Sequence, residues 1–213
     1  MADHRAFFYG TLMAPPVLHR VIHGTTQPLP WQTALLTIRP AILQHHCRHK
    51  VRGSDYPAIT RSPDDCVRGT LVTGLTEGDL WRLDLFEGDE YVRETVKVRV
   101  LAEGKELAET AEAGREGSEE EEEEMVTAQT YIWSAPASLL EEGEWDFDVF
   151  RREKMRRWVS GDENGEYAAI AEVDEAVKAQ GAEGDPTGGR GVNGKISGQL
   201  DEGKRNETIR SAV

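Results

Sequence analysis

From residue 91 to 100 the side chains alternate. Val92, Val96, Val98 and Val100 face one way, and Tyr91, Arg93, Thr95, Lys97 and Arg99 face the other. A period of two marks a strand with one buried face. The pattern stops at residue 102 and resumes as a second β-rich run over 126–133. Between them lie eleven Glu against one Lys and one Arg, closing on six consecutive Glu at 119–124. Such a segment buries too little apolar surface to offset its ordering entropy. The expectation is therefore an antiparallel strand pair joined by a disordered acidic loop, residues 102–124.

Charge is segregated in the same way. The net charge of −14 divides into −9 over residues 102–124 and −5 over 161–213, and the remainder carries seventeen charges of each sign. A neutral body without a basic face argues against nucleic-acid binding. Two cysteines, Cys47 and Cys66, make no disulfide framework at this length. No apolar run approaches the ~20 residues of a membrane-spanning helix. The expected setting is the cytoplasm, with the nucleus left open and no membrane partner.

Other elements follow from local pattern. Residues 5–9 read as a short buried strand that ends on Gly10-Thr11. Pro15-Pro16 suit the first turn of a helix, where a missing N–H costs nothing, and Gly24 stops that helix. Residues 31–38 are rich in β-formers. Residues 56–60 and 67–72 read as two short strands separated by the turn-prone Ser62-Pro63-Asp64-Asp65. Thr76 can cap a helix over 76–86, closed by Gly88. A further helix is expected over 145–159. Beyond residue 160 the chain turns glycine-rich and polar, with room for a short helix at 171–179. The expected organisation is one domain over 1–160 followed by a mostly disordered tail, 161–213. The strand spacing does not fit βαβ repeats. An α+β fold follows, a small, mainly antiparallel or mixed sheet curled into a barrel and flanked by helices.

Several motifs invite chemistry. Gly189 to Gly194 spell G-x-G-x-x-G, but no strand precedes and no helix follows, so nucleotide binding is not expected. His45, His46, Cys47 and His49 resemble metal ligands, and on a regular strand His45, Cys47 and His49 share a face. No second ligand pair exists, so no metal is expected. No G-x-S-x-G supports serine catalysis. Glu87 is different. It closes a helix beside Leu83 and Phe86, where the helix dipole and an apolar wall both favour its neutral form. That environment can turn a carboxylate into a proton acceptor. The Gly10-Thr11 turn can aim successive backbone N–H groups into one concavity and hold an anion.

Taken in order, Tyr9-Gly10-Thr11-Leu12, then Tyr56-Pro57-Ala58-Ile59, then Phe86-Glu87-Gly88 with Tyr91 and Arg93 resemble the gamma-glutamylcyclotransferase-like family, and within it the avirulence-induced-gene-like branch. The resemblance spans about residues 5–160. It implies a mixed β-barrel flanked by helices, and a transferase or lyase acting on a small γ-glutamyl substrate. In that chemistry the substrate's α-amine attacks its own γ-carbonyl, releasing an amine or amino acid and 5-oxoproline without a cofactor. By the same resemblance Glu87 is the proton acceptor, and Tyr9, Gly10, Thr11 and Leu12 cradle the substrate. Tyr56 and Tyr91 fall at aromatic positions near the pocket, and Arg93 becomes a candidate partner for a substrate carboxylate. A non-catalytic alternative keeps the pocket as a binding site for a small metabolite or peptide end, with the acidic insert recruiting a protein partner.

Overall fold

The structure is a computed structural model that describes residues 3–101, 124–160 and 168–180. Its strands are β1 (His4–Phe8), β2 (Thr37–Val51), β3 (Pro57–Leu75), β4 (Tyr91–Val100), β5 (Met125–Trp133) and β6 (Leu140–Glu141). They run in the order β3-β1-β5-β4-β2-β6, and β2 also pairs with β3, which closes five strands into a barrel. All pairings are antiparallel except that of β1 with β5, which is parallel. The expected small mixed barrel is the fold observed.

The helices are α1 (Pro15–His23), α2 (Pro30–Thr33), α3 (Glu77–Glu87), α4 (Phe147–Val149), α5 (Met155–Ser160) and α6 (Ala168–Gln180). A π-helical turn, Phe150–Lys154, joins α4 to α5, so the single helix expected over 145–159 is interrupted.

The second half of β1 and its exit, Ala6 to Tyr9, are apolar on both faces. Phe7 and the following Tyr9 point into the barrel with Leu43, Ile59, Leu71 and Val98. Ala6 and Phe8 point outward, into a second core formed with Val17, Val21 and Leu83. A strand covered on both faces reads as a continuous hydrophobic run. On β4, Val98 and Val100 are buried, whereas Val92 is 50% exposed. The valine face therefore enters the barrel only over its second half.

Two expectations need correction. Residues 31–33 are helical, not extended. Pro30 occupies the first turn of α2, and the Gln32 side chain accepts from the Leu29 N–H at 2.8 Å. Local capping outweighs β propensity there. The two short strands expected around Ser62–Asp65 are one strand, β3. Arg61 pairs with His46 and Cys66 with Gln44, so four residues of β3 stand opposite the single His45. His45 itself has φ 61°. The polar tetrapeptide is thus a special, four-residue bulge that rejoins the same partner. Ser62 Oγ donates to Asp65 Oδ2 at 2.5 Å across it.

The acidic insert lies outside the described residues except for Glu124. The Val100 N–H donates to the Glu124 carbonyl at 2.9 Å, and the Glu124 carboxylate pairs with Arg39 at 2.7 Å, at the base of the β4–β5 hairpin. Within the span read as tail, α6 packs on the body. Its Ile170 and Val173 are buried, and Asp174 holds Arg20 of α1 through two bonds of 3.1 and 2.5 Å. Residues 161–167 and 181–213 lie outside the described set.

Candidate active site

Helix α3 sets the position of Glu87. Thr76 accepts from the Asp79 N–H at 3.2 Å, and Asp79 accepts from the Thr76 N–H at 2.8 Å, a reciprocal cap. Leu80 and Leu83 bury one side of the helix. Gly88 ends it with φ 65°, a conformation glycine adopts without steric cost, so the chain turns immediately after Glu87.

Gly10 fixes the opposite wall. A Cβ at this position would lie 2.8 Å from Cγ and Cδ of Pro57. Only glycine lets the β1 exit press against the start of β3. The chain then winds through a 3₁₀ turn, Thr11–Met13, whose first bond runs from the Met13 N–H to the Gly10 carbonyl at 3.0 Å. The amides of Thr11 and Leu12 precede that bond and take no part in it. Arg48 secures the strand end by donating to the Tyr9 carbonyl at 3.0 Å.

Between these walls lies a cavity of about 490 Å³. Tyr9, Gly10, Thr11, Leu12, Tyr56, Glu87 and Tyr91 all line it, so seven of the eight residues singled out from sequence converge on one space. Arg93 does not. It pairs with Asp84 at 3.1 Å, behind the cavity wall.

Four phenols surround the cavity, and each hydroxyl has an acceptor. Tyr9 donates to the Tyr131 carbonyl at 2.7 Å, Tyr131 to Asp84 at 2.9 Å, Tyr91 to the Pro57 carbonyl at 3.0 Å and Tyr56 to Glu90 at 3.2 Å. Burial, reinforced by neighbouring groups including Glu87, pushes the Tyr9, Tyr91 and Tyr131 hydroxyls well above their ordinary range. They are neutral walls. Glu87 is pushed up from 4.5 to about 8, first by burial and then by the negative charge of Asp84. Carboxylates are ordinarily ionised at neutral pH; this one holds a proton over much of that range.

Sequence reasoning missed Asp84, Tyr131, Glu90 and Trp158. Tyr131 is readable in principle, as a polar-tipped ring in an otherwise apolar strand. Trp158 and Glu172 also line the cavity, and nothing local in the sequence marks Glu172. The histidine cluster is dispersed by the bulge. His45 Nδ1 lies 2.7 Å from the Pro63 carbonyl, His46 Nδ1 lies 2.8 Å from the Gln44 carbonyl and His49 Nε2 lies 2.8 Å from Thr60 Oγ1. Among the described residues no three His, Cys, Asp or Glu gather as metal ligands, and no helix is long and apolar enough to cross a membrane.

Residues 6–147 match the family described as gamma-glutamyl cyclotransferase, AIG2-like. The chain belongs to this family. Protein AIG2 C of Arabidopsis thaliana is 28% identical over 149 residues, 70% of this chain and 73% of its own length. AIG2-like protein D of the same plant is 30% identical over 152 residues, 71% of this chain and 82% of its own. Among solved structures, the solution structure of an Arabidopsis thaliana protein is 25% identical, with a TM-score of 0.49 over 86% of this chain and 91% of that one. The family match takes in β1 through the start of α4, and with them both cavity walls.

Proposed function

We propose that this member of the cyclotransferase family cleaves a γ-glutamyl amine or peptide, with Glu87 as the general base. The observation that carries this reading is the placement of a partly neutral carboxyl, Glu87, across one cavity from the Tyr9-Gly10-Thr11-Leu12 turn. The phenols around the cavity are already committed to protein acceptors. The turn amides of Thr11 and Leu12 are the donors assigned to the substrate carboxylate or to the developing oxyanion.

The reaction then balances as follows. Glu87 takes a proton from the substrate α-ammonium. The freed amine attacks its own γ-carbonyl carbon, closing a five-membered ring and placing charge on the carbonyl oxygen. Collapse breaks the bond to the departing nitrogen. Two protons leave the attacking nitrogen in all, one before attack and one as the ring forms, and both end on the departing amine. Glu87 relays the first. The products are 5-oxoproline and an ammonium, and the balance needs neither water nor a redox partner. Because both reacting groups belong to one molecule, holding it folded supplies much of the acceleration.

The direct test measures 5-oxoproline release from a panel of γ-glutamyl amines and peptides, comparing wild type with Glu87→Gln. A fall of ~10²–10⁴ in kcat is expected. Equal turnover in the two proteins, above background, removes Glu87 from the mechanism. Binding of γ-glutamyl compounds without turnover in either protein points instead to the non-catalytic alternative.

A further inference from the structure

Among the described residues the cavity wall holds four acidic side chains, Glu87, Asp89, Glu90 and Glu172, and no Lys or Arg. Arg93, the cation nearest in sequence to this group, is engaged with Asp84. Two of the lining residues, Trp158 and Glu172, lie beyond residue 147, where the family match ends. They are contributed by α5 and α6. Helix α6 is anchored there by buried Ile170 and Val173 and by the two-pronged Arg20–Asp174 pair, 21% and 28% exposed. Trp158 is buried and packs edge-on against Phe86 at 6.1 Å, beside Glu87. Of the lining residues, Glu172 and Asp89 are exposed, whereas Tyr9 is buried.

That arrangement orders the substrate. The γ-glutamyl part belongs inside, with its ammonium at Glu87 and its carboxylate at the turn. The leaving group must then extend past Trp158 towards the exposed Glu172 and Asp89. We propose that α6 completes the leaving-group subsite and that Glu172 selects an amine carrying a second positive charge remote from the scissile bond, such as one end of a protonated diamine. This rests on the cyclotransferase reading above and adds the class of leaving group. A carboxylate on the far end of the leaving group would meet like charge with no compensating cation on the wall. An uncharged alkyl chain would gain apolar contact with Trp158 and its neighbours but no attraction from the carboxylates. A cation gains Coulombic attraction from Glu172 and Asp89 and, over its π face, from an aromatic neighbour. At an exposed rim that attraction is modest and falls with ionic strength.

The test compares kcat/KM for three γ-glutamyl amides of equal chain length: a linear diamine, an alkylamine and an ω-amino acid. The wild-type order should be diamine, alkylamine, ω-amino acid. Glu172→Gln should cut the diamine-to-alkylamine ratio by about threefold to fivefold, and Glu172→Lys should cut it further and raise the relative rate of the ω-amino acid. Glu175→Gln, an exposed carboxylate on the same helix that does not line the cavity, should leave the ratio unchanged. Equal rates for diamine and alkylamine in the wild type, an unaltered ratio in Glu172→Gln, or an equal shift in Glu175→Gln overturns the proposal. The two readings separate cleanly. Turnover of the alkylamine amide reports on cyclotransferase activity itself, and the ratio reports on Glu172. Should no amide turn over, the same ratio is read from dissociation constants measured by calorimetry, and its absence there overturns the proposal equally.

Discussion

Asp84 and Glu87 lie one turn apart on α3, and Asp84 is held in place from two sides, by the Tyr131 hydroxyl at 2.9 Å and by Arg93 at 3.1 Å. Its negative charge adds to burial in raising Glu87 to about 8. Arg93, read from sequence as a candidate substrate ligand, thus sits one step removed from the cavity, fixing the group that tunes Glu87.

The first consequence concerns pH. If the ionised form of Glu87 accepts the proton, kcat/KM should rise with pH through about 8 and fall again where the substrate's own ammonium deprotonates. Asp84→Asn removes the second cause of the upward shift, so its rising limb should move to lower pH. Steady-state rates from pH 5.5 to 9.5 measure both. A limb that stays in place in Asp84→Asn would dissociate the two carboxylates.

Stability should show the opposite dependence. The folded protein keeps a proton on Glu87 that the unfolded chain releases above its ordinary value of 4.5. The native state therefore binds more protons between 4.5 and about 8, and stability falls as pH rises through that window. Glu87→Gln carries no such charge. Its melting temperature should exceed that of the wild type at pH 9, with the gap closing by pH 5. Scanning calorimetry at the two pH values decides.

Gly10→Ala should damage both fold and site. The added Cβ meets the Pro57 ring at 2.8 Å, so β1 and β3 must part slightly or the ring must move. Overpacking of this kind costs ~1–3 kcal/mol. Urea unfolding should show that loss, and substrate KM should rise because the turn amides shift with Gly10.

Thr76→Ala removes the cap of α3 and should cost about 1 kcal/mol in the same unfolding assay. Glu87 lies at the far end of that helix, so kcat should change less than stability does. A large kcat loss with unchanged stability would contradict this division.

Much of the site was legible because its parts are short and local. A glycine at a strand exit, a capped helix ending in Glu-Gly and an alternating strand each carry their own pattern. Their meeting in space came from the family resemblance, since no periodicity says that Tyr9 and Glu87 share a cavity. What escaped were features decided by distant partners. Ser62–Asp65 has every mark of a turn, and only its pairing across from His45 makes it a bulge within one strand. Residues 31–33 favour β structure in isolation, yet Pro30 and the Gln32 side chain nucleate a helical turn. Glu172 reaches the cavity from a helix whose docking depends on Arg20, more than a hundred and fifty positions earlier.

The parallel pairing of β1 with β5 has a consequence for biosynthesis. Strand β1 is made well before the neighbours on either side of it, β3 and finally β5. Until residue 133 has cleared the exit tunnel, Phe7 and Tyr9 have only an unfinished enclosure to enter. The nascent chain therefore keeps that aromatic segment without its final neighbour until synthesis has passed the acidic insert.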